Sequence, residues 1–102
     1  MDVPAQPIGP AGKRFAESTA TISNMRGLHA RAAAKFVKTA GRFKAEVVVR
    51  HRGMEVSGRS IMGLMMLAAS PGTVIDIAAT GEDAEEALGA LLALVAGKFE
   101  EE

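Results

Sequence analysis

Apolar positions recur along the chain with two different periods, which divide it into seven elements. Alternating or β-branched stretches predict strands at 15–22, 44–51, 54–57 and 73–80. Helical spacing predicts helices at 30–40, 60–70 and about 82–99. The predicted order is therefore β-α-β-β-α-β-α. Because the elements are apolar on single faces, we predict an α+β fold, an open-faced sandwich in which a four-stranded antiparallel sheet carries three helices on one face.

The same pattern predicts which side chains form the core. In the strands, the residues expected to point inward are Val47, Val49, Ile75, Ile77 and Ala79. In the helices, the apolar stripes are Ala30, Ala33, Ala34, Val37 and Ala40, then Ile61, Leu64 and Leu67 or Ala68, and finally Ala84, Ala87, Leu88, Leu91, Val95 and Phe99. Ser60 is expected to cap the second helix, and Asp83 with Glu86 resembles a capping box at the third.

The composition fits one domain. Residues 1–14 hold three of the four prolines and are predicted to be a disordered tail, which leaves 15–102 as a single domain. The lack of cysteine excludes a disulfide framework, a thiolate metal site and a cysteine nucleophile. No apolar run approaches the roughly 20 residues of a membrane span, and the first residues lack the apolar segment of a signal peptide. We therefore expect a cytoplasmic protein without membrane contact.

The charges are unevenly distributed, although the formal net charge is zero. Residues 1–70 hold 11 Lys and Arg against 4 Asp and Glu, and residues 71–102 hold 1 against 8. A basic part is compatible with nucleic-acid binding, but four aromatic residues are few for a base-stacking platform. A basic face for an acidic protein partner explains the distribution equally well.

One of the two histidines, His29, stands directly before the first predicted helix. The first N–H groups of a helix have no partner within it, and the helix dipole adds positive charge, so this position favours an anion. A neutral imidazole is a nucleophile near neutral pH, and a phosphoryl group on it would meet the N–H groups of Ala30 and Arg31 and the Arg31 guanidinium. The alternative is that His29 is an ordinary helix cap. His51 is expected to be a solvated hairpin residue.

Three stretches together resemble one known family. They are GLHARAAAKFV at 27–37, GRSIMGLMMLAASPGT at 58–73 and GEDAEEAL at 81–88. The chain resembles the HPr family, the histidine-containing phosphocarriers of the phosphoenolpyruvate-dependent phosphotransferase system. The resemblance covers about residues 16–99, and the predicted order of elements matches the fold of that family.

The resemblance implies roles for individual residues. His29 matches the histidine that enzyme I phosphorylates on Nδ1, Arg31 matches the arginine that accompanies it, and Ser60 matches the serine that HPr kinase modifies in some bacteria. The chain departs from many members in having Ala32 in place of proline and Arg26 in place of asparagine. Alanine is an excellent helix former, so we expect the start of the helix to survive the first change.

Methionines are dense around the second helix, whose start the resemblance places beside His29. We expect part of this helix to stay exposed as an adaptable apolar patch, rimmed by Arg31, Lys35 and Lys38, that docks on acidic partners. The residues assigned to docking are Ala34, Lys38, Ile61, Met62, Met65 and Met66. The alternative is that the methionines belong to the core.

No metal-ligand spacing, nucleotide loop or Ser-His-Asp order is present in the sequence, so we expect a carrier without catalytic activity, cofactor or metal. The predicted function is a relay from enzyme I to enzyme II-type A domains, by a monomer that HPr kinase/phosphorylase can regulate. Two alternatives stay open: a regulatory, nitrogen-related relay that is not coupled to sugar uptake, and a basic α/β module that binds nucleic acid.

Overall fold

The computed structural model describes residues 14–101, which form one four-stranded sheet with helices packed against it. The strands are β1 (Phe15–Thr21), β2 (Glu46–His51), β3 (Met54–Ser57) and β4 (Val74–Thr80). The helices are α1 (Ala30–Ala40), α2 (Ile61–Met66) and α3 (Ala84–Ala96), and a short 3₁₀ turn follows at Lys98–Glu100. The predicted order of elements is confirmed, and so is the start of α1 with Ala32 in its first turn.

The predicted tail lies outside the described residues except for Arg14. The carbonyl of Arg14 accepts a hydrogen bond from the Gly81 N–H at 2.9 Å, so this residue already belongs to the fold. No helix among residues 14–101 is both long and apolar enough to span a membrane.

All neighbouring strands are antiparallel, in the order β1-β4-β2-β3. Strand β4 enters the middle of the sheet, where Ile77 pairs with Ser18 on one side and with Val49 on the other. The strand residues predicted to point inward are all buried: Val47, Val49, Ile75, Ile77 and Ala79. The predicted open-faced sandwich is therefore confirmed.

Helix α1 is rotated relative to its predicted stripe. Its buried residues are Ala32, Ala33, Phe36 and Ala40, whereas Ala30 and Ala34 are exposed. Phe36 is the largest apolar side chain of the helix and buries far more surface than any alanine, so its position decides which face meets the core. The rotation leaves Ala34 on the surface, which agrees with its assignment to docking.

Helices α2 and α3 are both shorter than predicted. Helix α2 ends at Met66, and its inward residues are Leu64 and Leu67, while Ile61 is exposed, contrary to the predicted stripe. Helix α3 ends at Ala96, and Phe99 reaches the core from the turn that follows.

The predicted capping box at α3 is wrong. Asp83 is the N-cap residue but makes no side-chain hydrogen bond to the start of the helix. Its carboxylate instead accepts hydrogen bonds from the backbone before β2, at Lys44 and Ala45. The Asp83 carboxylate, which the local pattern assigned to the start of the helix, is therefore used in a tertiary contact.

Candidate functional site

A tight loop before α1 determines where His29 stands. Asn24 is fully buried in this loop, and its Nδ2 donates a hydrogen bond to the carbonyl of Gly27 at 2.8 Å. Gly27 has a φ of +68°, and a Cβ atom there would lie 2.6 Å from the carbonyl oxygen of Ala69. The next residue, Leu28, donates its N–H to that same oxygen at 2.9 Å. The loop is thus fixed from within by Asn24 and from outside by the segment after α2.

His29 is the N-cap residue of α1, but its ring does not cap the helix. Its backbone is extended, with φ −82° and ψ −178°, and its carbonyl accepts the N–H of Ala33 at 2.8 Å. The ring makes no hydrogen bond to the start of the helix, so the interpretation of His29 as an ordinary cap is wrong. The first N–H groups of α1, which include those of Ala30 and Arg31, have no partner within the helix.

The ring of His29 lines an open cleft of about 500 Å³. The other residues around the cleft are Met25, Arg26, Arg31, Lys35, Glu100 and Glu101. Three of them are cations, which come from the loop before α1 and from the first turns of the helix. Arg26, one of the two departures from the family pattern, therefore adds a positive charge beside His29.

Two carboxylates from the turn after α3 also reach this cleft, and sequence reasoning missed them. One oxygen of Glu101 lies 2.5 Å from Nε2 of His29, and the other accepts a hydrogen bond from Nδ2 of Asn24 at 3.1 Å. Burial opposes ionisation of Glu101, but the hydrogen bonds from Asn24 and His29 outweigh it, and the pKa of Glu101 lies below its usual value.

The turn that carries Glu101 is anchored in the core. Lys98, Phe99 and Glu100 all have positive φ, between 55° and 63°, and the Phe99 ring is fully buried. The Nζ atom of Lys35 donates a hydrogen bond to the carbonyl of Phe99 at 2.7 Å. Helix α1 therefore holds the turn whose next residue faces His29.

Ser60 caps α2 as predicted, since its Oγ accepts a hydrogen bond from the Gly63 N–H at 2.9 Å. The start of α2 does not lie beside His29, however. Arg59 donates hydrogen bonds to carbonyls beyond the end of α1, at Phe43 and Ala45, whereas the segment after α2 contacts the His29 loop. The two helices are antiparallel, so the end of α2 adjoins His29 and Ser60 lies at the other end.

The residues assigned to docking are all on the surface. Ala34 and Lys38 are exposed on α1. The exposed fractions on α2 are 40% for Ile61, 70% for Met62, 40% for Met65 and 65% for Met66. Met25, which the sequence did not single out, is exposed to 76% and lies in the His29 loop. We call Met25, Ile61, Met62, Met65 and Met66 the apolar patch; the interpretation of its methionines as core residues is wrong.

His51 is not part of this site. It ends β2 and is half-buried, with Nδ1 at 3.3 Å from the carbonyl oxygen of Val74. It is less exposed than a solvated hairpin residue, because strand β4 runs beside it. Of the two histidines, His29 alone combines a partly exposed ring with a cationic cleft.

Comparisons with known proteins agree with this arrangement. The family model for the "PTS HPr component phosphorylation site" matches residues 16–97. A phosphocarrier protein HPr of Neisseria meningitidis is 54% identical over 80 residues, which cover 78% of this chain and 90% of that protein. A phosphocarrier protein NPr of Shewanella violacea is 42% identical over 85 residues, 83% of this chain and 93% of the relative.

A solved structure gives the same result for the fold. The crystal structure of HPr-C-His from Thermoanaerobacter tengcongensis matches with a TM-score of 0.82 at 46% identity, over 85% of this chain and 98% of that one. Both the sequence and the fold are thus shared over nearly all of the described residues. This chain belongs to the HPr family, the phosphocarrier proteins of the phosphotransferase system.

Proposed function

We propose that this chain relays phosphoryl groups: His29 accepts one from phosphorylated enzyme I and donates it to an enzyme II-type A domain. The observation that carries the proposal is the position of the His29 ring, which makes no bond to the start of α1 and shares a cleft with Arg31. Membership of the HPr family supplies the class of reaction.

The surroundings of His29 favour an added phosphoryl group. Its oxygens would meet the partnerless N–H groups of Ala30 and Arg31 and the positive end of the helix dipole. The Arg31 side chain is exposed along the same cleft, and its guanidinium offers paired donors that match phosphoryl oxygens. We assign phosphoryl stabilisation to these two residues. In this role the chain is a covalently modified carrier and not an enzyme.

The partners would dock beside the cleft on the apolar patch. Methionine side chains adapt to differently shaped surfaces, which suits a carrier that meets a donor and several acceptors in turn. Helix α1 supplies cations next to the patch through Arg31, Lys35 and Lys38, so we expect acidic rims on the partner surfaces. Ala34 belongs to the same surface, where its small side chain lets a partner approach the helix. We expect the carrier itself to be a monomer.

Ser60 is the proposed site of regulation by HPr kinase/phosphorylase. It precedes Ile61 and Met62, so a phosphate on Ser60 would place negative charge at the edge of the apolar patch. Because Ser60 lies at the end of α2 away from His29, the modification would act on docking and not on the nucleophile itself.

Two other functions deserve direct comparison. A nitrogen-related regulatory relay has a specific observation in its favour, namely the similarity to a protein named NPr. Initial rates of transfer from the phosphorylated chain to purified A domains of each branch distinguish it from sugar uptake. The nucleic-acid-binding module rests on charge alone, and a salt-dependent mobility shift with duplex or single-stranded nucleic acid would support it.

The decisive experiment is mass spectrometry after incubation with enzyme I and phosphoenolpyruvate. A phosphoramidate on histidine is labile in acid and stable in alkali, unlike a phosphoester of serine. We expect one acid-labile phosphoryl group in the wild-type chain and in His51→Ala, and none in His29→Ala. Equal labelling of His29→Ala would refute the assignment.

A further inference from the structure

The carboxylate of Glu101 is held in one position by contacts that do not involve His29. Its side chain is 15% exposed, and Asn24 donates a hydrogen bond to it from the core. The preceding turn is fixed by the buried ring of Phe99 and by the hydrogen bond from Lys35 to the Phe99 carbonyl. Glu101 is therefore held in place independently of the imidazole, as an orienting group must be.

The surroundings of Asn24 favour one orientation of its amide. Its Nδ2 faces two acceptors, the carbonyl of Gly27 and the carboxylate of Glu101, while its Oδ1 is buried without a hydrogen-bond partner among the described residues. Turning the amide over would put Oδ1 against both acceptors. In the observed orientation, Oδ1 of Asn24 stays unsatisfied as an acceptor, but Nδ2 keeps its hydrogen bond to Glu101.

The contact between Glu101 and His29 distinguishes the two ring nitrogens. An ionised carboxylate only accepts hydrogen bonds, so the Nε2 atom that it contacts must carry the proton. In a neutral imidazole the other nitrogen, Nδ1, then holds the free electron pair. This contact therefore leaves Nδ1 unprotonated, and Nδ1 is the atom that the family resemblance assigns to phosphorylation.

We propose that Glu101 is a positioning residue for phosphoryl transfer, which holds the His29 ring through Nε2–H so that Nδ1 faces the donor. The inference rests on the proposed function. The Nδ1 electron pair forms the bond to phosphorus while the bond from phosphorus to the donor breaks and its electrons return to the donor. The proton stays on Nε2, and the ring gains a positive charge that the Glu101 carboxylate balances.

The same contact serves the second half of the relay. When an acceptor takes the phosphoryl group, the electrons of the nitrogen–phosphorus bond return to Nδ1. Because Nε2 still carries its proton, the ring departs as neutral imidazole, whereas a ring without that proton would have to depart as an anion. Glu101 therefore favours transfer in both directions without exchanging a proton.

The first test is nitrogen-15 NMR of the unphosphorylated chain, which identifies the protonated nitrogen of His29. We expect the Nε2–H form to dominate in the wild-type chain and in Glu100→Gln, and the Nδ1–H form to increase in Glu101→Gln and Glu101→Ala. Glu100 is the matched control for the tautomer, since it is the adjacent carboxylate, is 76% exposed and pairs with Lys35 at 3.9 Å instead of with His29. A tautomer ratio that is the same in all four proteins would overturn the proposal.

The second test is the initial rate of phosphorylation by enzyme I at equal folded fraction. We expect a fall of about tenfold in Glu101→Gln, which is the lower end of the loss seen when a metal-ligating histidine loses its orienting partner. Glu101→Asp should recover part of the rate, and Glu85→Gln, an exposed change on α3 that does not line the cleft, should match the wild type. An unchanged rate in Glu101→Gln would refute the positioning role. If the wild-type chain accepts no phosphoryl group, the proposed function fails, and the NMR experiment still judges the contact separately.

Discussion

The carboxylate of Asp83 binds two consecutive N–H groups of the backbone before β2, that of Lys44 at 2.9 Å and that of Ala45 at 2.8 Å. The hydrogen bond from Lys44 lowers the pKa of Asp83, burial opposes this, and the bond from Ala45 lowers it further, so the net shift is downward. The start of α3 is thereby tied to the segment that follows α1.

We predict that Asp83→Asn lowers the thermal stability at pH 7 and flattens its dependence on pH in acid. Because the pKa is lower in the folded chain than in the unfolded chain, ionised Asp83 stabilises the fold at neutral pH. This contribution is lost as the pH falls below about 4, the usual pKa of aspartate, and through the folded-state value. Circular dichroism should show the Tm curves of wild type and Asp83→Asn converging below pH 4. Glu82→Gln, an exposed neighbour, is the control, and curves that stay parallel to pH 2 would contradict the prediction.

The hydrophobic pattern predicts the elements well wherever large side chains mark the inner face. In β2 and β4, the residues predicted to point inward, Val47, Val49, Ile75 and Ile77, are all buried, whereas Val48 and Val74 on the other face of the sheet are not. In α1 the pattern fails because five of the eleven residues are alanines, and a methyl group costs little on either face. Phe36 alone determines the rotation of that helix.

The candidate site likewise contains residues that the sequence predicts and residues that it does not. His29, Arg31 and Ser60 stand in local patterns that a sequence displays, a helix start and its flanking residues. Asn24 and Glu101 form their hydrogen bond across 77 positions of the chain, and each is one polar residue in a polar segment. Only the fold, which brings the turn after α3 against the loop before α1, unites them.

We predict that Arg31→Ala changes stability by less than about 0.5 kcal/mol, as is usual for an exposed side chain. Phosphoryl transfer should fall much further, by a factor of about ten or more, because a charge-assisted donor to the phosphoryl oxygens is lost. Quench-flow rates with enzyme I, with Arg52→Ala on the exposed hairpin turn as the control, measure the difference. Wild-type rates in both directions of transfer would mean that Arg31 is only a solvated helix residue.

Ala68, just after α2, offers a gain in stability. Its φ is +53°, in the left-handed region where a Cβ atom is strained and where glycine is the usual residue after a helix. We predict that Ala68→Gly stabilises the fold by about 0.5–1 kcal/mol, the relief of strain less the added entropy of an unfolded glycine. That corresponds to a rise in Tm of a few degrees in a differential scanning calorimeter.

The matched control is Ala93→Gly, an exposed change inside α3, which should instead lose about 1 kcal/mol. If both glycine substitutions lowered the Tm equally, the backbone at Ala68 would have no strain that glycine relieves, and the prediction would be wrong.

Ser60, the proposed site of regulation, also contributes to stability. Its Oγ caps α2 by accepting the Gly63 N–H, so Ser60→Ala should cost about 1 kcal/mol. Ser60→Asp retains an acceptor at the same position and adds a negative charge at the positive end of the helix, which favours it. We therefore predict that Ser60→Asp melts no earlier than Ser60→Ala.

The same substitution should weaken docking on enzyme I. The charge lies beside Ile61 and Met62, which a partner must desolvate, and it faces the acidic rim that the cations of α1 are expected to attract. If the desolvation cost and the charge repulsion together remove about 1.4 kcal/mol or more of binding free energy, the affinity falls by about tenfold or more. Isothermal titration calorimetry measures this change. Thr19→Asp changes the net charge equally on an exposed position of β1 and should bind as the wild type does. Undiminished affinity in Ser60→Asp would leave Ser60 as a helix cap alone, because the apolar patch would then tolerate a charge at its edge.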